Sequence, residues 1–241
     1  MPRITTVESI GKKVLPCVLI SVLTIMMPLS TSAADTEKDE ETLKNAATVF
    51  QEIVSGSDVP ASVLAKADCV IILPGVKKVG FGVGGSGGRG AMSCREGDKF
   101  NGKWSAPAMY SIGGASIGLQ VGGSSTDFLL LVMNSKGVDA ILADKTKLGS
   151  DATATAGPSG ATAASSSVGG SDVLTYGRSK GLFAGVSLEG ATLHQDNDAN
   201  KRLYGKDLSA REIVRGNAIK STPAGQPLVS LLDSKVPKHN D

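Results

Sequence analysis

The sequence predicts an α+β fold: a mostly antiparallel, glycine-rich sheet or partial barrel, flanked by helices at its N- and C-terminal ends. Three observations carry this prediction. The chain has 30 glycines and only 4% aromatic residues, which without a collagen-like period argues for a glycine-punctuated β-rich fold and against a helix bundle. Apolar residues alternate with period two in the central and later segments, as in Ile117-Gly118-Leu119-Gln120-Val121 and at Leu182, Ala184, Val186 and Leu188. Apolar spacing of helical period is strongest towards the two ends.

Residues 1–34 read as an export signal. Arg3, Lys12 and Lys13 form a positive start, Val14 to Met27 an apolar stretch, and Ser32-Ala33-Ala34 a small-residue cleavage site. The apolar run is shorter than the roughly 20 residues that an ordinary membrane span needs, so cleavage is expected over retention as an anchor. Exported protein would work in the periplasm or cell envelope, or be secreted. The whole chain carries 25 Lys+Arg and 23 Asp+Glu; the signal holds three of the basic residues and one acid (Glu8), leaving 22 of each. A neutral chain has no bulk attraction for nucleic acid or for an anionic membrane, which leaves only a local patch. The remaining length, about 205 residues, suits one large domain or two small ones; a single domain is placed at 43–235, between an acidic, disordered lead at 35–42 and a polar tail at 236–241.

Within that domain, Leu43, Ala46, Ala47, Phe50, Ile53 and Val54 recur at helical spacing from Glu41 to Val54, and Gly56 stops the helix. A short helix is expected from Pro60 to Lys66. Cys69 to Leu73 reads as a buried strand ending at Pro74, and Lys78–Cys94, Lys103–Tyr110 and Ile112–Val121 as short strands with turns. Thr126–Met133 is a further apolar strand, and Lys136–Ala143 a short helix. Gly149–Asp172 is a run of small residues that composition assigns to a linker, strand being the alternative. Leu174 and Tyr176 precede a turn at Arg178-Ser179-Lys180-Gly181. Ser209 with Glu212 forms a capping box, and Pro227 begins a last helix with Leu228, Leu231 and Leu232.

Several motifs fail on their context. Gly82-Val83-Gly84-Gly85-Ser86-Gly87 matches a dinucleotide loop, but no helical pattern follows to meet a pyrophosphate. Gly84 to Gly88 matches a nucleophile elbow, which also needs a following helix and a catalytic histidine; the histidines are His194 and His239. Asp196, Asp198, Asn200 and Asp207 are spaced like a calcium loop, yet Lys201 stands where glycine is needed, and an Asp-capped helix start fits better. No catalytic constellation, metal cluster or cofactor site stands out, and the reading is non-enzymatic. Cys69 and Cys94 are an even pair and a disulfide candidate in an oxidising compartment, two buried thiols being the alternative.

From Ala65 to Tyr204 the chain resembles the SYLF domain family, also described as the YSC-type actin-binding domain. The resemblance lies in Lys66-Ala67-Asp68-Cys69-Val70-Ile71-Ile72-Leu73-Pro74-Gly75-Val76-Lys77-Lys78 with the glycine run to Gly90. It continues in Trp104-Ser105-Ala106-Pro107-Ala108, Gly118 to Gly123, Thr126 to Asn134, and Tyr176 to Ala191. It implies a lipid-binding module: eukaryotic relatives bind phosphoinositides, yeast relatives also bind and bundle actin, and bacterial relatives are exported single-domain proteins. An exported bacterial member would not meet actin. The helix Glu41–Val54 also departs from the family's membrane-binding amphipathic helix, because acids dominate its polar face.

The function expected is therefore non-catalytic binding of an anionic phospholipid or membrane surface. Its candidate headgroup ligands are Lys77, Lys78, Arg89, Arg178 and Lys180. The alternative is a structural or protein-interaction module that self-associates or binds a protein partner through its glycine-rich strands.

Overall fold

A computed structural model describes residues 29–56, 59–81, 83–117, 122–158, 170–179 and 182–238. One sheet is built from β1 (Cys69–Phe81), β2 (Val83–Cys94), β3 (Ala108–Ile117), β4 (Gly122–Val132), β5 (Lys145–Lys147), β6 (Ala154–Ala156), β7 (Val173–Ser179), β8 (Leu182–Gly185) and β9 (Thr192–Gln195). Its order is β5-β9-β3-β2-β1-β4-β7-β6, with β8 also on β7. All pairings are antiparallel except β6 with β7, and the sheet curls into a half-barrel. The outer edge of β7 is shared: β6 pairs with residues 173–175 and β8 with 176–179.

The apolar runs of β1 and β4 lack clean alternation because both of their faces are buried. Val70, Ile72, Leu129 and Leu131 point into one core, under α1 (Leu29–Gly56), α2 (Ala61–Ala65) and α6 (Gln226–Lys235). Cys69, Ile71, Leu73, Phe128, Leu130 and Val132 point into the other, with α3 (Ser135–Ile141) and α5 (Ala210–Arg215). The remaining helix, α4 (Asn197–Tyr204), begins at Asp196, whose side chain accepts from Ala199 N–H. This is the Asp-capped start expected from sequence. α5 carries the Ser209/Glu212 capping box, and Pro227 sits in the first turn of α6.

Three expectations are corrected. The acidic segment 35–42 is not a disordered lead: it forms the early turns of α1, because Asp39 is fully buried against two arginines. Pro74 does not end β1, which passes through a bulge at Pro74-Gly75 and pairs again beyond it. Gly75 takes φ +57° there, and its N–H leaves the ladder to donate to Asp127 at 2.8 Å. In the small-residue run, 154–156 form strand, the alternative left open to a linker, while 159–169 lie outside the described residues. Among the described residues α1 covers Leu29 to Gly56, so the expected cleavage site Ser32-Ala33-Ala34 falls on exposed positions of that helix; residues 1–28 lie outside the described residues. Of the expected polar tail, Val236 is buried and Pro237 accepts from Arg95.

Candidate functional site

Beyond the bulge, β1 to β4 continue past the apolar core as a platform of small residues. Across β3-β2-β1-β4, successive rows in register are Gly113–Gly87–Lys77–Ser125, Gly114–Ser86–Lys78–Ser124, Ala115–Gly85–Val79–Gly123 and Ser116–Gly84–Gly80–Gly122. Thirteen of these sixteen residues are Gly, Ser or Ala. The glycine run that matches nucleotide-loop and nucleophile-elbow motifs therefore lies along a strand, β2, with no helix after it.

The glycines of β2 divide into two kinds. A Cβ on Gly90 would stand 1.9 Å from the carbonyl oxygen of Ile72, and one on Gly88 would stand 2.7 Å from the Val76 side chain. Those two are required by the chain's own packing. On Gly85, Gly87 and Gly113 the nearest atom would be a backbone oxygen at 3.9 Å, an ordinary contact. Gly85 and Gly87 are exposed, and the fold itself does not demand glycine at any of the three.

Of the candidate headgroup ligands, Lys77 and Arg89 line one groove beside α1, while Lys78 and Arg178 are not among its lining residues. Arg89, on β2, donates to Asp39 at 2.6 Å and to Asp196 at 2.9 Å. Asp39 has no exposed surface and also accepts from Arg202 at 2.7 Å. Both guanidinium groups have raised pKa values: at Arg202 the hydrogen bond to Asp39 is the leading cause, while at Arg89 the pairs with Asp39 and Asp196 outweigh burial. Arg178, on β7, is paired with Asp127 at 2.8 Å and with Glu52 of α1, and is likewise raised, first by its bond to Asp127. These two arginines thus clamp α1 across the sheet. From Asp39 to Glu52 the helix advances about 20 Å, and the three strand spacings from β2 to β7 cover about 14 Å. The helix crosses the strands obliquely.

Lys77 and Lys78, being successive strand residues, face opposite sides. Lys77 is exposed and borders a groove of about 430 Å³ shared with Lys38, Glu41 and Thr42 of α1. Lys78 lies 5.8 Å over the Phe128 ring on the other face. Lys180 lies outside the described residues. Cys69 and Cys94 pair directly across β1 and β2, and their sulfurs are bonded at 2.01 Å.

Sequence reasoning saw the glycines but not their two kinds, because the distinction depends on what lies opposite each one. It also treated Arg89 and Arg178 as free, since their carboxylate partners stand 50, 107 and 51 residues away. Among the described residues no group of three His, Cys, Asp or Glu side chains could hold a metal ion, and no helix is long and apolar enough to cross a membrane.

The profile of the Ysc84 family, described as "Las17-binding protein actin regulator", matches residues 113–235. Protein YSC84 of Saccharomyces cerevisiae is 35% identical over 207 residues, covering 84% of this chain and 43% of that protein. LAS seventeen-binding protein 3 of the same yeast is 37% identical over 189 residues, or 76% of this chain and 40% of the relative. The human SH3 domain-containing YSC84-like protein 1 is 36% identical over 202 residues, covering 80% of this chain and 57% of that protein. The chain spans about half the length of these curated relatives.

Proposed function

Because the chain belongs to the Ysc84 family, the SYLF-domain proteins, we propose that it is a non-catalytic interaction module that binds a protein partner through its small-residue platform. The observation that carries this reading is the behaviour of Gly85, Gly87 and Gly113, whose Cβ positions are open. A glycine inside a strand destabilises it by about 0.5–1 kcal/mol relative to alanine. A cluster of such residues that the chain's own packing does not need marks a place where another backbone approaches closely. The same reading is supported by the family's description as Las17-binding and by the name of one relative, LAS seventeen-binding protein 3.

A photo-crosslinking residue at Gly87 tests it in cells expressing the full chain, with one at exposed Arg211 as control. The reading expects one discrete protein adduct from position 87 only, lost when Gly85→Glu is added to the folded chain. An adduct with a second copy of this chain identifies the partner as itself. Equal labelling from both positions, or none, refutes the platform.

A second reading, binding of an anionic phospholipid headgroup, rests on Lys77: exposed, beside the α1 groove, and without a carboxylate partner among the described residues. It expects co-sedimentation with phosphatidylserine vesicles at low salt that is lost on Lys77→Ala and kept in Gly85→Glu. No sedimentation, or the reverse sensitivity, removes it.

The site of action we propose is the cell envelope, reached by export and cleavage after Ala34. Residues 32–34 are exposed, so their loss uncovers no core. Cleavage would start α1 at Asp35 and put Asp35 and Glu37 in its first turn, where carboxylates favour a helix N-terminus. Intact mass of the protein recovered from fractionated cells decides this: a chain still carrying residues 1–34 refutes cleavage.

A further inference from the structure

The platform has an open edge along β4. This strand pairs with β7 from Asp127, opposite Arg178, to Val132, opposite Val173. Its residues 122–126 pair with β1 on one side and with no strand among the described residues on the other. The direction of their backbone groups follows from the ladder. Met133 N–H donates to the Asp172 carbonyl at 2.9 Å across the β4–β7 register, and the pairs that exchange such bonds alternate along an antiparallel strand. The odd-numbered residues of β4 therefore turn towards β7. Continued past Asp127, this places the N–H and C=O groups of Ser125 and Gly123 on the open edge, where both residues are exposed. Open edges are usually blunted by brevity, lysine, proline or a bulge. Thus β5 and β6 are three residues long, and β5 carries Lys145 and Lys147. The stretch Gly122-Gly123-Ser124-Ser125-Thr126 has neither charge nor proline, and the bulge beside it belongs to β1.

An edge of this kind accepts an extended segment as an additional strand, whose main chain supplies affinity and whose side chains supply specificity. Two lysines one strand inward set that specificity. Lys77 stands opposite Ser125 and Lys78 opposite Ser124, so the two lie on opposite faces of the sheet. Lys77 is exposed, and Lys78 leans over β4 to within 5.8 Å of the Phe128 ring. Neither has a carboxylate partner among the described residues. An added strand would lie two strand spacings from β1, about 10 Å, with only Gly123, Ser124 and Ser125 between. The extended side chains of a lysine and a glutamate span that gap together. A second copy of β4 would bring serines, and no carboxylate, to the two ammonium groups. Resting on the reading of the chain as an interaction module, we propose that its partner is an acidic segment in extended conformation. It adds as a strand to the β4 edge at Gly123 and Ser125, with adjacent acids meeting Lys77 on one face and Lys78 on the other.

The probe is a fluorescein-labelled peptide, Thr-Val-Glu-Glu-Val-Thr with an amidated C-terminus, to which the full chain is added while anisotropy is read. Peptides with Gln-Gln and Lys-Lys in place of Glu-Glu are the comparisons. The proposal expects saturable binding of the acidic peptide, about tenfold weaker binding of the Gln-Gln peptide and none of the Lys-Lys peptide. Ser125→Pro removes one outward N–H and leaves the β1 ladder intact, a change that edge strands tolerate. It should abolish binding while the melting temperature holds. In the unsubstituted chain, the Gly123 and Ser125 amides should exchange more slowly with deuterated solvent once the peptide is bound. The proposal is overturned if the acidic peptide does not saturate or the Lys-Lys peptide binds as well. It is equally overturned if folded Ser125→Pro still binds, or if the two amides exchange at an unchanged rate. A dimer of the chain that Ser125→Pro dissolves also overturns it, by making the occupant a second copy. A discrete adduct from position 87 alongside failed peptide binding overturns this docking mode alone and leaves the interaction-module reading standing.

Discussion

Replacing Asp39 with asparagine should loosen the seat of α1 on the sheet. The carboxylate has no exposed surface, while its partners Arg89 and Arg202 have side chains 33% and 25% exposed. Removing one member of a fully buried ion pair costs about 3–5 kcal/mol. Both guanidinium groups here reach water, and Arg89 keeps Asp196 at 2.8 Å, so a cost at or just below that range, about 2–3 kcal/mol, is the expectation. In a chain of this length each kcal/mol moves the melting temperature by about 2–4 °C, giving a fall of about 5–10 °C. Thermal melting followed by circular dichroism, with urea unfolding at unchanged slope, measures it. Arg202→Met in the same background tests the pairing itself, because coupled residues are non-additive by about 0.5–3 kcal/mol. An Asp39→Asn protein that melts within about 1 °C of the parent, or strict additivity with Arg202→Met, would refute the clamp.

Three other outcomes follow from the structure. Gly90→Ala should destabilise by about 3 kcal/mol or more, since its Cβ would meet the immovable Ile72 carbonyl, whereas Gly87→Ala, with open space, should be neutral or stabilising by about 0.5 kcal/mol; urea midpoints of the two variants compare them directly. Reduction of Cys69–Cys94, separated by 25 residues, should lower stability by about 3.5 kcal/mol on the loop-entropy relation; unfolding with and without reductant, with alkylation mass as the check on bonding, tests this. Burial alone would push Asp172 up, but the N–H and hydroxyl of Thr153 and the Lys136 ammonium hold it below the ordinary 3.8. Its contribution is therefore full above that value and is lost as pH falls through the lower folded-state value. Asp172→Asn should flatten the acid limb of a stability–pH curve below 3.8 and leave a smaller pH dependence there; an unchanged limb would show that Asp172 does not contribute.

The sequence made the sheet's interior readable wherever one local rule governed it. Val70 to Leu73 and Phe128 to Val132 are apolar at every position because both faces are covered, and Ser209 with Glu212 announces α5 within four residues. Rules failed where a distant residue intervened. Pro74 has the chemistry of a strand stop, yet Asp127, 52 residues from Gly75, takes the stray N–H and lets β1 resume. β5 and β9, three and four residues long, are too short to show a period. The acids of 35–42 look solvated in sequence, since nothing local reveals that Asp39 meets Arg202 from 163 residues later. The platform was visible as composition, but its rows depend on the registers of three strand pairings.

The oblique clamp of α1 also sets an order of events in time. The first helix of the domain to be synthesised is held by Arg89, Arg178 and Arg202 and packs on α4 and α6, which come last. Its seat does not exist until nearly the whole chain is available, and contacts of such long sequence separation close slowly. A chain that cannot finish folding from its N-terminal end stays unfolded longer, which is the condition a polypeptide must keep if it is to be threaded through a membrane before it takes its final shape.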